Sequence, residues 1–174
     1  AQHLAQLTNR SVAWQLLAQS GLDTPHALNK WQGQWQAQIA AADVVLVVLG
    51  VNDVTAQHSP AAFAQHYAAL LQAGAQATGA QVLLANALPP MQHMQALPWP
   101  LRPYLGLCAR ALDAALQKLC SQGQGAHYLP APATFAACST AADGFHPGAD
   151  AYRVWAQAAA CSMAQALHYH PSPC

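Results

Sequence analysis

The chain has 174 residues and a formal net charge of zero, with six basic residues, six Asp and no Glu. This length favours a single domain with a substantial core. Only 7% of the residues are charged, against about a quarter in an ordinary globular domain. No basic stripe is available to neutralise phosphates, which excludes a nucleic-acid partner. No apolar run approaches the roughly 18–20 residues that cross a bilayer, which excludes a transmembrane segment.

Strand and helix patterns alternate along the first half of the chain. Residues 1–7 are typical of the end of a helix that is already under way, so we expect a sequence cut from a longer one. An alternating apolar pattern predicts a strand over residues 11–18. A Thr-Pro start signal predicts a helix over residues 24–41. The run of Val and Leu over residues 43–49 predicts a strand buried on both faces.

The second half continues this alternation, with helices predicted over residues 60–77, 102–122 and 148–167 and strands over residues 80–88 and 127–129. A long loop rich in Pro and Met occupies residues 89–103. Alternating strands and helices predict one α/β domain over residues 1–167, with a parallel sheet covered by helices on both faces. Residues 168–174 are predicted to form a flexible tail.

Turn and polar residues follow the predicted strands. Gly21, Asn52, Asn86 and the loop that holds Asp143 each come after a strand. The carboxyl ends of parallel strands meet at one edge of the sheet, where the active groups of such folds gather. We therefore expect these residues to lie along a common edge.

The most informative segment is Asp-Gly-Phe-His-Pro, in which Asp143 and His146 lie three residues apart between turn residues. If the carboxylate accepts a hydrogen bond from one ring nitrogen, the other nitrogen is fixed as the acceptor. That nitrogen can take a proton from an alcohol, which makes the pair a candidate general base for a nucleophile. The alternative is a turn with a surface histidine in front of a helix.

Two positions are suited to donating hydrogen bonds to an oxyanion. Asn52 follows a strand that ends in Gly50, so its side-chain amide can lie over the edge of the sheet. Gly21 can offer its backbone N–H, because no side chain blocks a close approach. Each is otherwise an ordinary turn residue. Asp53 is predicted to be structural, closing the turn or capping nearby amides.

In this order, the motifs resemble those of the SGNH (GDSL-type) hydrolases. Gly50-Val-Asn-Asp53 matches the Asn block of the family, Asp143-Gly-Phe-His146 matches the last block, and Gly21 matches the Gly block loosely. The resemblance implies a three-layer, flavodoxin-like fold and a carboxylic ester hydrolase with an acyl-serine intermediate. It implies that His146 is the general base and then the acid, that Asp143 orients it, and that Asn52 and Gly21 donate to the oxyanion. It implies no metal or cofactor.

The Gly-Asp-Ser block of the family is absent from the chain. The resemblance places that block and its strand before Ala1, and the strand between those predicted at 11–18 and 43–49. Both neighbours would then keep unpaired edges. Ser20 is a weak internal candidate for the nucleophile, whereas Ser59 reads as a helix cap and Ser139 lies on the Asp143 loop.

Four apolar residues of the 89–103 loop can either line a site for an acyl chain, which favours a small-molecule ester with an acyl or lipid-like group, or pack against the domain: Met91, Met94, Leu97 and Trp99. The alternative is an inactive remnant or a binding module of the same fold. Loss of a triad nucleophile costs about a millionfold in rate, so we expect this chain alone to be inactive. Its five cysteines cannot all pair within one chain, because their number is odd. The sequence does not assign the protein to a cellular compartment.

Overall fold

The computed structural model describes residues 1–123, 125–134 and 138–169. Three parallel strands form a sheet in the order β1-β2-β3, namely β1 (Val44–Val47), β2 (Val82–Asn86) and β3 (Ala126–Leu129). The α-helices of the described residues are α1 (Gln2–Thr8), α2 (Thr24–Gln32), α3 (Val51–Thr55), α4 (Pro60–Thr78), α5 (Leu101–Ser121) and α6 (Ala149–Ala166). Short 3-10 turns among the described residues include Gln36–Gln38 and Met91–His93.

Helices cover both faces of the sheet, as the sequence predicts. Leu83 and Ala85 of β2 belong to the main core, to which α4 and α5 contribute half of the buried side chains. Leu84, between them, belongs to a second cluster with Ala159 of α6. This alternation follows from the pleat of a strand, in which successive side chains point to opposite faces. The predicted α/β fold with a parallel sheet is confirmed.

Local signals in the sequence fix the bounds of α4. The Ser59 hydroxyl accepts a hydrogen bond from the Ala62 amide, and Pro60 occupies the first turn. The helix ends at Gly79, whose left-handed backbone (φ 71°) lets its N–H reach the Ala75 carbonyl. Phe63 and Tyr67 lie one turn apart and are both fully buried. Helix α4 therefore matches the prediction over residues 60–77 to within one residue.

The prediction of a strand over residues 11–18 is wrong. The segment has no regular secondary structure, and Trp14 and Leu16 are 73% and 71% exposed. Its described side-chain contacts include a hydrogen bond from Gln15 to the Gln38 carbonyl and the packing of Val12 against a small cluster formed by α1 and α6. An alternating apolar pattern forms a strand only where a neighbour takes its backbone hydrogen bonds, and no described strand pairs with this segment.

Strand β1 pairs with β2 on one side, and its other edge has no partner strand among the described residues. This agrees with the expectation of an unpaired edge at residues 43–49. The Tyr67 hydroxyl donates to the Val47 carbonyl at 3.0 Å. The remainder of this edge is an open template for a further strand.

Helices α2 and α3 differ from the sequence prediction. Helix α2 is capped by Asp23 and ends at Gly33, so it stops well short of residue 41. The one-turn helix α3 was not predicted, because five residues are too few to show a helical period. In the segment predicted as a tail, Tyr169 accepts a hydrogen bond from Arg10, and residues 170–174 lie outside the described part. None of the described helices is both long and apolar enough to cross a membrane.

The turn at Gly50 yields a prediction about stability. Gly50 has a φ of 127°, and a Cβ there would lie 2.8 Å from Cγ of Leu88. Gly50→Ala should therefore cost about 1–3 kcal/mol from overpacking, in addition to backbone strain. Gly79→Ala is the matched control, because Gly79 also has a positive φ but no atom within 4 Å of the added methyl. Urea unfolding should show the larger loss for Gly50→Ala, and equal losses would contradict the contact with Leu88.

Candidate active site

Asp143 and His146 form a hydrogen-bonded pair on the loop before α6. Nδ1 of His146 lies 2.6 Å from Oδ2 of Asp143. The other carboxylate oxygen accepts the backbone N–H groups of Phe145 and His146, each at 2.9 Å. The hydrogen bond with the His146 ring is the largest cause that lowers the pKa of Asp143, and the two backbone hydrogen bonds add to it. Together they lower this pKa to about 2. With the proton on Nδ1, Nε2 of His146 is left as an acceptor.

Backbone bonds close the loop on both sides of this pair. Ala141 donates to the His146 carbonyl at 2.8 Å, and Gly148 donates to the Ser139 carbonyl at 2.9 Å. At the base of the loop, Asp150 accepts the Ser139 hydroxyl at 2.6 Å and its amide at 2.9 Å. These contacts lower the pKa of Asp150 to about 2. The imidazole is held by a closed loop, yet its side chain is 64% exposed.

The turn at Gly144 joins this loop to the rest of the sheet edge. Gly144 has a φ of 65°, and its carbonyl accepts the Ala96 amide at 3.2 Å. The next residue, Phe145, packs against the main core. The loop that carries Asp143 and His146 is therefore hydrogen-bonded to the 89–103 loop.

Asn52 and the Gly21 turn lie together at the end of β1. The side-chain amide of Asn52 donates to the Leu22 carbonyl at 2.9 Å. An amide NH₂ has two donors, so this bond leaves one hydrogen for a ligand. Gly21 has a φ of 81°, with open space around its Cα. The sequence predicted that Gly21 would follow a strand, but the segment before it has no regular secondary structure. The hydrogen bond from the Asn52 side chain still brings the turn at Gly21 to Asn52.

Asp53 is fully buried beneath this turn. Its carboxylate accepts the Thr24 amide at 3.1 Å and the Thr24 hydroxyl at 2.6 Å. Nδ1 of His58 lies 3.0 Å from Oδ1 of the same carboxylate. Asp53 thus caps amides, as expected.

The structure brings the predicted site residues together in two pairs. One pair is Asp143 with His146, and the other is Asn52 with the turn at Gly21. Within the described residues, no hydrogen bond joins the two pairs directly. Asn86, also predicted at this edge, accepts a hydrogen bond from the Trp155 indole at 2.6 Å and so connects β2 to α6.

Sequence reasoning missed a second cluster of histidines and aspartates beside Asn52. Asp23 caps α2 and lies 2.5 Å from Nδ1 of His26, while Nε2 of His58 lies 3.6 Å from its other oxygen. Burial is the largest single effect on the pKa of Asp23 and raises it. The hydrogen bonds from His26 together outweigh burial, so the pKa of Asp23 is lowered. Asp23 and His26 have the same spacing as Asp143 and His146. That repeated spacing was the available signal.

The internal nucleophile candidates have other partners or none. Ser20 is exposed and has no hydrogen bond in the described structure. Ser59 caps α4, and the Ser139 hydroxyl donates to Asp150. Cys138 lies 3.4 Å from the Thr134 carbonyl. None of the described hydrogen bonds joins one of these side chains to His146. Across the described ranges, no group of three or more His, Cys or Asp side chains is arranged to hold a metal ion.

The low pKa of Asp143 can be tested by carbon NMR of its carboxyl group. We expect a midpoint of about 2 in the wild type. In His146→Ala the midpoint should rise towards 3.8, because the largest cause of the shift is gone. Since the pKa is depressed in the folded state, the bonds stabilise the loop above pH 3.8, and this stabilisation is lost as the pH falls to about 2.

Asp150 is the internal control for that titration. Its partners are Ser139 and the Ala151 amide, so its midpoint should stay at about 2 in His146→Ala. An Asp143 midpoint that does not move in the variant would mean that the imidazole does not hold the carboxylate in solution.

Comparison with known proteins shows which protein family this chain resembles. The model of the GDSL-like Lipase/Acylhydrolase family matches residues 1–154. A search of curated proteins gives no match. Among solved structures, a GDSL-like lipase from Parabacteroides merdae is similar at 18% identity and a TM-score of 0.60, over 87% of this chain and 71% of that one.

A carbohydrate esterase of family 3 from Talaromyces cellulolyticus is similar at 18% identity and a TM-score of 0.63, over 86% of this chain and 70% of that one. These two structures share the fold. Because the family pattern spans most of the sequence and carries the Asn and Asp-x-x-His motifs in order, the chain belongs to the GDSL-like lipase/acylhydrolase family of ester hydrolases.

Proposed function

We propose that this chain is part of a carboxylic ester hydrolase that works through an acyl-serine intermediate, with the serine outside these 174 residues. The observation that carries the proposal is the pair formed by Nδ1 of His146 and Oδ2 of Asp143 at 2.6 Å. It leaves Nε2 of an exposed imidazole ready to accept a proton, and a proton acceptor of this kind serves a nucleophile.

In the first half of the reaction, Nε2 of His146 takes the proton of the serine hydroxyl as the serine oxygen attacks the ester carbonyl. The carbonyl oxygen becomes an oxyanion in the tetrahedral intermediate. The intermediate collapses when the imidazolium gives its proton to the leaving alcohol, which leaves the acyl-serine. Asp143 keeps the ring in one orientation and stabilises its charged form.

In the second half, Nε2 takes a proton from water, and the resulting hydroxide attacks the acyl-serine. The second tetrahedral intermediate releases the carboxylic acid as the proton returns to the serine oxygen. In both halves, the free N–H of Asn52, the N–H of Gly21 and the serine's own N–H would donate to the oxyanion. Each such donor is worth about 10²–10³ in kcat.

The open edge of β1 supports a position for the missing serine. A strand paired there in parallel would have its carboxyl end beside Gly50 and Asn52, where the donors lie. A serine at that strand end would face the Asn52 amide. Of the described serines with hydrogen-bond partners, Ser59 caps α4, Ser121 donates to the Lys118 carbonyl within α5 and Ser139 binds Asp150.

Most of the apolar residues predicted to line an acyl site are used in the core. Met91 is fully buried, and Met94 and Leu97 pack against the main core. Trp99 alone of the four is largely exposed. The loop therefore gives no preference for an acyl or lipid-like ester, and the proposal extends only to a small-molecule carboxylic ester.

The test uses the full-length protein with its upstream segment, a p-nitrophenyl ester and a fluorophosphonate probe. We expect turnover, and labelling of a serine upstream of Ala1. His146→Ala should lower kcat by more than about 10³-fold and Asn52→Ala by about 10²–10³-fold. His127 is an exposed histidine on β3, and His127→Ala is the matched control. It should leave kcat and the labelling of the serine unchanged.

Two other outcomes would correct the proposal. Labelling of Ser20 would place the nucleophile inside this chain. No turnover and no labelled serine would overturn the esterase and favour the inactive remnant or binding module.

A further inference from the structure

We propose that Asp53, Thr24 and His58 act as a clamp that positions the two oxyanion donors within this chain. The inference rests on the proposed function, because it concerns the donors Asn52 and Gly21. The three residues do not touch the reacting atoms themselves. They act by holding the turn that carries Gly21 against the turn that carries Asn52.

The side chain of Leu22 anchors the Gly21 turn in the main core, and the clamp adds hydrogen bonds that fix the direction of its backbone. Residues 11–19 have no regular secondary structure, and Gly21 is exposed. Among the described contacts, the backbone of this turn is held by the Asn52 amide on the Leu22 carbonyl and by Asp53 on the Thr24 amide. Residues 22 and 24 are thereby joined to residues 52 and 53, which fixes both position and direction.

Burial makes the Asp53 contact selective for one arrangement. A fully buried carboxylate must keep its hydrogen-bond partners, because water cannot replace them. Thr24, which supplies a backbone N–H and a hydroxyl to this carboxylate, is also fully buried. Moving the turn away would leave the charge of Asp53 without both donors.

His58 completes the clamp from the other side. Its Nδ1 lies 3.0 Å from Asp53, and its Nε2 lies 3.6 Å from Asp23, the residue before Thr24. Its own backbone N–H donates to the Asp53 carbonyl at 3.0 Å. The ring therefore lies between the cap of α2, two residues after Gly21, and the carboxylate on α3, which carries Asn52.

Positioning of this kind should appear in kcat. A misplacement of 1 Å at a reacting centre can cost about 10²-fold in rate. Binding of the ground-state ester depends far less on the direction of the oxyanion donors, because the oxyanion exists only in the transition state and the intermediates. Loosening the turn should therefore lower kcat and leave KM nearly unchanged.

The mildest test is a pair of substitutions at Thr24 in the full-length enzyme. Thr24→Val keeps the shape and the backbone N–H but removes the hydroxyl that bonds Asp53 at 2.6 Å. We expect a fall in kcat of about tenfold or more with KM within twofold. Thr24→Ser restores a hydroxyl and should recover most of kcat. Asp53→Asn and His58→Ala should lower kcat in the same way.

Thr78→Val is the matched control. Thr78 is also a buried threonine, and its hydroxyl donates to the Gly74 carbonyl at 2.8 Å, at the end of α4 that leads into the amino end of β2. It should reduce stability without changing kcat. If Thr24→Val and Thr78→Val lower kcat equally, the effect is one of stability, and the positioning role is overturned.

Amide hydrogen exchange in the same full-length proteins tests the clamp without relying on activity. The Thr24 amide should exchange at least tenfold faster in Asp53→Asn than in the wild type, and at the wild-type rate in Thr78→Val. Unchanged exchange in Asp53→Asn overturns the clamp. A wild type that neither turns over ester nor labels overturns the proposed function instead. An active wild type whose Thr24→Val and Asp53→Asn variants keep kcat overturns this inference alone.

Discussion

Strand β2 pairs along both edges and is covered on both faces, and the rest of the molecule depends on this burial. Leu84 and Ala85 are fully buried, on opposite faces, so α4 and α5 must lie on one side and α6 on the other. Because the three strands are parallel, their carboxyl ends meet at one edge. The turn at Gly50 and Leu88 share that edge, which is where the candidate site lies.

The site itself is built by aspartates that hold backbone and imidazole together. Asp143 accepts two amides and the ring of His146, and Asp53 accepts the Thr24 amide and hydroxyl and the ring of His58. The first carboxylate is exposed and the second fully buried. An exposed pair leaves its imidazole open to a substrate, whereas a buried pair can only fix the chain around it. Under the proposed function, the same arrangement would serve chemistry in one place and geometry in the other.

Elements with their own signals were predictable, and elements that depend on a partner were not. Helix α4 has a Ser cap, Pro60 and Gly79, so its bounds followed from the sequence. Residues 11–18 have an alternating pattern but no partner strand among the described residues, so the predicted strand does not form. The sequence left two roles open for Met91, lining an acyl site or packing in the domain, because apolar character alone does not distinguish a core residue from a binding surface; in the structure Met91 is buried. The roles of the site residues remain predictions.

By itself, the sequence determined the alternation of strands and helices, the parallel sheet and the Asp143–His146 contact. These features depend on near neighbours in the chain, through periodicity, caps and a three-residue spacing. Only the tertiary structure decided how the Gly21 turn contacts Asn52 and how His58 lies between Asp53 and Asp23. The Asn52 side-chain amide bonds the Leu22 carbonyl and the buried Asp53 carboxylate bonds Thr24, each about thirty positions away, and no local pattern encodes which distant group such a side chain will bind.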